Sequence, residues 1–183
     1  MSRAWELATA VTALGAAATG GAFLTYSTFT TAGLRRLSDA DAMAAMQQIN
    51  LEAPRSVSFM VLLFVPGLAG LVLAARALLA REPGSLLVLA GVGVYVVGVV
   101  GVTVAFNVPR NDTLAALDAA TQHDGWRSWL SGWVAGNHVR IVSGLLAAAL
   151  LVGSLLLPYR ADSADRASGS QGSSTGPGPA ASW

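Results

Sequence analysis

The stretch Ser85-Leu-Leu-Val-Leu-Ala-Gly-Val-Gly-Val-Tyr-Val-Val-Gly-Val-Val-Gly-Val-Thr-Val-Ala-Phe106 decides the fold. Its crowd of Val and Gly would suit a buried strand in water. Its length and lack of charge instead favour a helix that crosses a membrane, which needs roughly 20 mainly apolar residues for a hydrocarbon core of about 30 Å. Three further stretches qualify on the same grounds. Leu7 to Gly33 carries no charge, although its second half, Thr25-Tyr-Ser-Thr-Phe-Thr-Thr31, is rich in hydroxyls. Val57 to Ala75 contains Pro66-Gly67, a pair that kinks a helix and leaves neighbouring spans to support it. The last apolar run is Ile141 to Pro158. The expected chain is therefore all-α, an integral membrane four-helix bundle with spans about 7–33, 57–75, 85–106 and 138–158.

Composition agrees. Of 183 residues, 54% are apolar and 11% charged, against about a quarter charged in soluble domains. A net charge of +1 argues against a nucleic-acid partner, and the apolar content against a disordered chain. There is no cysteine, and every basic residue is Arg. Thiolate metal sites, cysteine nucleophiles, Schiff-base lysines and a Walker lysine are thereby excluded. A signal peptide competes for the first span, with Arg3 as its positive region, but the charge-free run is longer than such peptides need. Residues 161–183, rich in Ser, Gly and Pro, are expected to be a disordered tail behind a membrane domain of residues 1–160.

The connections place the polar groups. A loop between the first two spans holds a short amphipathic helix, Asp39 to Asn50, with Ser38 as N-cap. Arg81-Glu82-Pro83-Gly84 is a tight turn, and Asn107 to Arg140 is the longest polar segment before the tail. Four spans put both longer loops on one face, with the termini and the tight turn on the other. Arg residues are divided too evenly to orient the chain. Basic residues close to the span ends favour cytoplasmic termini in the plasma membrane. Gly15, Ala17, Gly20, Gly21, Gly91, Gly98 and Gly101 are candidates for close helix contacts, within one bundle or in a homo-oligomer.

One helical stripe gathers the chemistry. At about 100° per residue, Trp126, Trp129, Trp133, Asn137 and Arg140 fall within roughly 80°, with His138 beside the stripe. Interfacial Trp and a snorkelling Arg account for any one of these residues, but not for all of them on one stripe. An aromatic wall ending in polar groups suits an aromatic ligand. In Asn107-Val-Pro-Arg-Asn-Asp112, Pro109 is expected to end the third span and Asn111 or Asp112 to cap a helix over 113–121. Asn107 then stays unexplained where hydrocarbon meets water, and Asn50 adds another amide on that face.

Asn107-Val-Pro-Arg-Asn111 after an apolar span, followed by Trp129 and Trp133-Val-Ala-Gly-Asn137-His138-Val-Arg140 at the start of the last, resembles the anthrone oxygenase-like family of small four-helix membrane proteins. Gly20-Gly-Ala-Phe23, with the Tyr-Ser run behind it, and Met46-Gln-Gln-Ile-Asn50 look similar too, so the resemblance covers roughly residues 7–157. It implies oxygenation of a polyketide anthrone to an anthraquinone with O2 and without bound metal or flavin. Arg110 departs from the apolar residue expected in that motif.

The residues can be matched to that chemistry. Two histidines, no cysteine and no acidic residue deep in a span argue against a metal centre of three or more converging ligands, and no glycine loop for a dinucleotide is present. A doubly benzylic CH2 beside a carbonyl gives an aromatic anion that itself reduces O2. His138 is the candidate base, Arg140, Asn137 and Asn107 the candidate donors to the oxyanion, and Trp129 and Trp133 the stacking residues. Trp126, Asn111 and Asn50 complete the expected substrate site; His123 is read as a solvated loop residue. Expected partners are a hydrophobic aromatic molecule, O2 and the bilayer. The alternative is a non-enzymatic binder, carrier or accessory subunit using the same residues; absence of charge from the span centres argues against ion-coupled transport.

Overall fold

A computed structural model describes residues 2–172, with side-chain surroundings for 2–157. The described residues are helical and contain no strand, and the chain is a multi-pass integral membrane protein. Helix α1 runs Arg3–Leu34, α2 Asp39–Glu52, α3 Val57–Ala80, α4 Ser85–Ala115 and α5 Trp126–Gly172. The four long ones are apolar enough to cross a membrane, α5 over Trp126–Leu157. Each packs on two neighbours in the ring α1, α3, α4, α5, with consecutive spans antiparallel.

The outward faces are large and apolar, with Leu7, Val11 and Leu14 on α1 and Leu68 and Val72 on α3 all exposed. The inward faces are small or polar. On α1 these are Thr9, Thr12, Ala13, Ala16, Thr19 and Gly20, and the Thr9 and Thr12 hydroxyls each donate to the carbonyl four residues back. This arrangement suits lipid, where small residues let backbones approach and no interior apolar drive exists. A Cβ at Gly20 would lie 3.3 Å from the Ile141 carbonyl, and one at Gly91 3.1 Å from that of Ala147. Gly15 faces Pro66 and Gly98 faces Ser143, whereas Gly21 meets nothing within 4 Å and is no contact residue. The tight turn closes through two left-handed residues, Arg81 at φ 49° and Gly84 at φ 90°. Gly84 lies against the Ser154 backbone, where a Cβ would come within 2.7 Å of the carbonyl oxygen.

Pro66 stands inside α3. Its missing N–H frees the Leu62 carbonyl. Thr19 Oγ1, 2.7 Å away, supplies a replacement donor, and Tyr95 Oη donates to the adjacent Leu63 carbonyl at 2.8 Å.

On the loop face, Ser38 caps α2 through the Asp41 amide at 3.1 Å, and the helix outruns its expected end at Asn50 by two residues. Its Ala42, Met43 and Met46 are buried against Leu34, Leu114, Trp126 and Leu130, so α2 closes the end of the bundle. Gln47 Nε2 donates to the carbonyls of Leu114 and Leu117, both at 2.8 Å, which caps α4.

The helices outrun the apolar stretches. Pro109 does not end the third span: α4 continues to Ala115, and neither Asn111 nor Asp112 caps a helix over 113–121. The physical reason is a run of π turns, Val96–Gly101 and Thr103–Asn107, whose wider winding makes room for a proline ring at the start of the next turn. Likewise α5 begins at Trp126, well before Ile141, and its backbone continues to Gly172. The rest of the expected tail, 173–183, lies outside the described residues.

Candidate functional site

Where α2 covers the bundle, a cavity of about 260 Å³ opens between the helices. Its apolar wall is Phe59, Met60 and Phe64 of α3, with Val104 and Val108 of α4. Phe23 and Tyr26 enter from α1, Trp133 and Arg140 from α5, and Asn50 from the end of α2. The polar floor comes from α4, where Thr103, Asn107 and Asn111 recur every four residues and all line the space. π turns lie at this level in both α1, Tyr26–Thr30, and α4, Thr103–Asn107. Such turns re-aim side chains and recur at functional sites.

Arg140 is the dominant charge. It is 4% exposed, and no Asp or Glu among the described residues pairs with it. Its guanidinium donates to Thr103 Oγ1 at 3.2 Å and to Asn137 Oδ1, and lies over the Phe23 ring at 3.9 Å. Those neutral contacts position the cation without neutralising it. Arg140 Nε and Nδ2 of the neighbouring Asn137 are buried without a hydrogen-bond partner, as are Asn107 Oδ1 and Asn50 Nδ2, whose residues line the same cavity. Buried polar atoms are nearly always paired, so four in one place mark a site built for something polar.

The two sequence motifs interlock here. Asn107 Nδ2 donates to the Trp133 carbonyl at 3.4 Å, and Trp133 Nε1 donates to Asn111 Oδ1 at 3.0 Å. Trp129 Nε1 donates to the Arg110 carbonyl at 2.9 Å. Arg110 itself lies against the Phe106 ring at 4.9 Å and beside Gly132, so the residue that departs from the expected motif is a packing residue outside the cavity.

Of the residues expected at the site, Asn50, Asn107, Asn111, Trp133 and Arg140 line the cavity, and Asn137, 0% exposed, stands directly behind Arg140. The aromatic wall is different from expectation. Trp126, Trp129 and Trp133 stack on one another, with centroids 5.6 and 6.2 Å apart and interplanar angles of 15° and 21°. Trp126 is thereby locked into the core beneath Met43 and Met46, Trp129 remains outside the cavity, and Trp133 alone of the three presents a ring to it. His138 is exposed and lines no part of the cavity, because the turn that points Asn137 inward rotates its neighbour outward. His123 Nδ1 sits 3.0 Å from the Ala119 carbonyl, in the loop.

Thr103, Asp112, Phe23 and Tyr26 were not expected at the site, and all line it. The signal for Thr103 is its place four residues before Asn107. Among the described residues, no three His, Cys, Asp or Glu side chains come together to hold a metal ion.

No curated protein and no solved structure matches the chain. The family model for anthrone oxygenase matches residues 54–150, which takes in α3, α4 and the half of α5 bearing Trp133, Asn137 and Arg140. More than half the chain is covered, and the chain belongs to the anthrone oxygenase family.

Proposed function

We propose that the chain is a membrane-embedded oxygenase that uses O2, with no bound cofactor, to convert an anthrone or similar polycyclic aromatic to a quinone. The observation that carries the reading is Arg140, a buried cation with no acidic partner among the described residues, facing an apolar cavity. Low dielectric strengthens its attraction for an anion. A fused aromatic enolate is apolar over most of its surface and concentrates charge on one oxygen. Phe59, Phe64 and Trp133 suit the rings, while Arg140, held by Thr103 and Asn137, suits the oxygen.

Binding the anion better than the neutral ketone lowers the cost of removing the methylene proton. The electron-rich anion then reduces O2 directly. In this reading the substrate partitions from lipid, and the plasma membrane with cytoplasmic termini is the proposed setting.

The test is quinone formation by the detergent-purified full chain from dithranol, a dihydroxyanthrone, under O2 and under argon. O2-dependent acceleration over buffer is expected, and about 100-fold loss in Arg140→Gln, the scale for removing one oxyanion donor. Dithranol binding without acceleration would leave a non-enzymatic binder.

A further inference from the structure

A proton must leave carbon in the proposed reaction, and His138 does not face the cavity. The groups that do are informative. Amides are not bases, and the Tyr26 phenol and Arg140 guanidinium carry protons rather than accept them. Asp112 is the acidic residue that lines the cavity. It stands at the exposed mouth, and its side chain makes no hydrogen bond or ion pair with the described residues. Thr103, which Arg140 contacts at 3.2 Å, and Asp112 belong to the same helix. The Arg140 cation and the Asp112 carboxylate therefore line the same cavity.

We propose that Asp112 is the catalytic base that removes the methylene proton, an inference that rests on the oxygenase reading above. A carboxylate is a weak base for such a carbon acid, so it needs the Arg140 charge, which lowers the energy of the anion formed. The balance is as follows. The Asp112 carboxylate takes one methylene proton, and the C–H electron pair enters the ring system. The anion gives its electrons to O2, a C–O bond forms, and the resulting peroxide anion takes the proton back from Asp112. The carboxylate then removes the second proton from that carbon as the O–O bond breaks. The C–H pair becomes the new C=O bond, and the departing hydroxide takes up the proton as water. The carbon loses four electrons and O2 gains four, one oxygen atom remaining in the quinone and one leaving in water. Exposure at the mouth also lets Asp112 exchange protons with solvent between turnovers.

The test separates proton removal from oxidation. Wild-type full chain in detergent is mixed with dithranol in D2O under argon, and deuterium entry at the methylene is followed by mass spectrometry; O2 is then admitted and quinone measured. Asp112→Asn is expected to lose about 100-fold or more in both rates, with quenching of protein fluorescence by the quinone product unchanged within about threefold. Asp112→Glu is expected to keep much of both activities, and formate is expected to restore part of them to Asp112→Ala, which a purely structural carboxylate would not permit. Wild-type exchange in Asp112→Asn, or absence of formate rescue in a folded Asp112→Ala, overturns the assignment while leaving the oxygenase standing. Neither exchange nor oxidation by the wild-type chain overturns the oxygenase reading itself and this assignment with it.

Discussion

Trp133 is held at both ends by one helix, its indole N–H donating to Asn111 Oδ1 at 3.0 Å and its backbone carbonyl accepting from Asn107 Nδ2 at 3.4 Å. The two asparagines are four residues apart on α4, so one helix face supplies both contacts. Removing Asn111 leaves a buried indole donor without a partner, at a cost of about 1–3 kcal/mol. Asn111→Ala is expected to lower detergent-phase stability by that amount, and to cost much less in a Trp133→Phe background, where the donor is gone. Equal costs in the two backgrounds would show that the bond contributes nothing.

The same logic applies deeper in the bundle, where Thr19 serves the Leu62 carbonyl that Pro66 leaves without a helical donor. Hydrogen bonds between membrane helices average about 0.6 kcal/mol and reach about 1.7. Thr19→Val is expected at the upper part of that range, because the unfolded helix cannot satisfy Leu62 itself. Pro66→Ala restores an N–H to the helix, and Thr19→Val in that background is expected to be milder. Unfolding of the four variants in mixed detergent measures the coupling; additive effects would sink the account.

Gly136 tests the geometry of the site directly. A Cβ there would lie 2.6 Å from Asn107 Oδ1 and 2.8 Å from Phe106 Cδ1, so Asn107 must move. Gly136→Ala is expected to weaken quenching of protein fluorescence by the anthraquinone product about tenfold or more, a loss of ~1.4 kcal/mol. Gly21, which meets nothing within 4 Å, is the control. Its replacement by Ala is expected to stabilise the helix by up to about 1 kcal/mol with binding unchanged. Equal binding by both variants would remove Asn107 from the ligand's surroundings.

These residues also mark what the amino-acid sequence made legible. The spans were readable because lipid demands long charge-free runs, and α2 because Ser38 precedes its apolar face. The 100° period put Trp133, Asn137 and Arg140 on one inward stripe. Periodicity assigns direction but not neighbour, so it does not tell an indole stacked on another indole, as Trp126 and Trp129 are, from one facing the cavity. Pro109 reads as a stop because π turns leave no compositional mark. Asp112, one of two residues that read as a helix cap, lines the cavity because α4 continues through it to Ala115.

At the opposite end of the bundle, Arg76 and Glu82 pin the tight turn to α3, with guanidinium contacts of 2.8 and 3.2 Å to the two carboxylate oxygens and the Trp5 ring 5.0 Å from the cation. The hydrogen bond from Arg76 holds the Glu82 carboxyl below its ordinary value of 4.5, although desolvation opposes it. A carboxyl depressed in the folded state contributes stability above its unfolded value, and that contribution is lost as pH falls through the folded one. Glu82→Gln is therefore expected to melt below wild type at about pH 7, with the gap closing as pH falls below the ordinary carboxyl value of 4.5. The site is part-exposed, so the gap is expected to be modest. Thermal melts of both proteins in the same detergent across that range measure it. A deficit that persists unchanged into acid would assign the role of Glu82 to packing of its side chain and not to its charge.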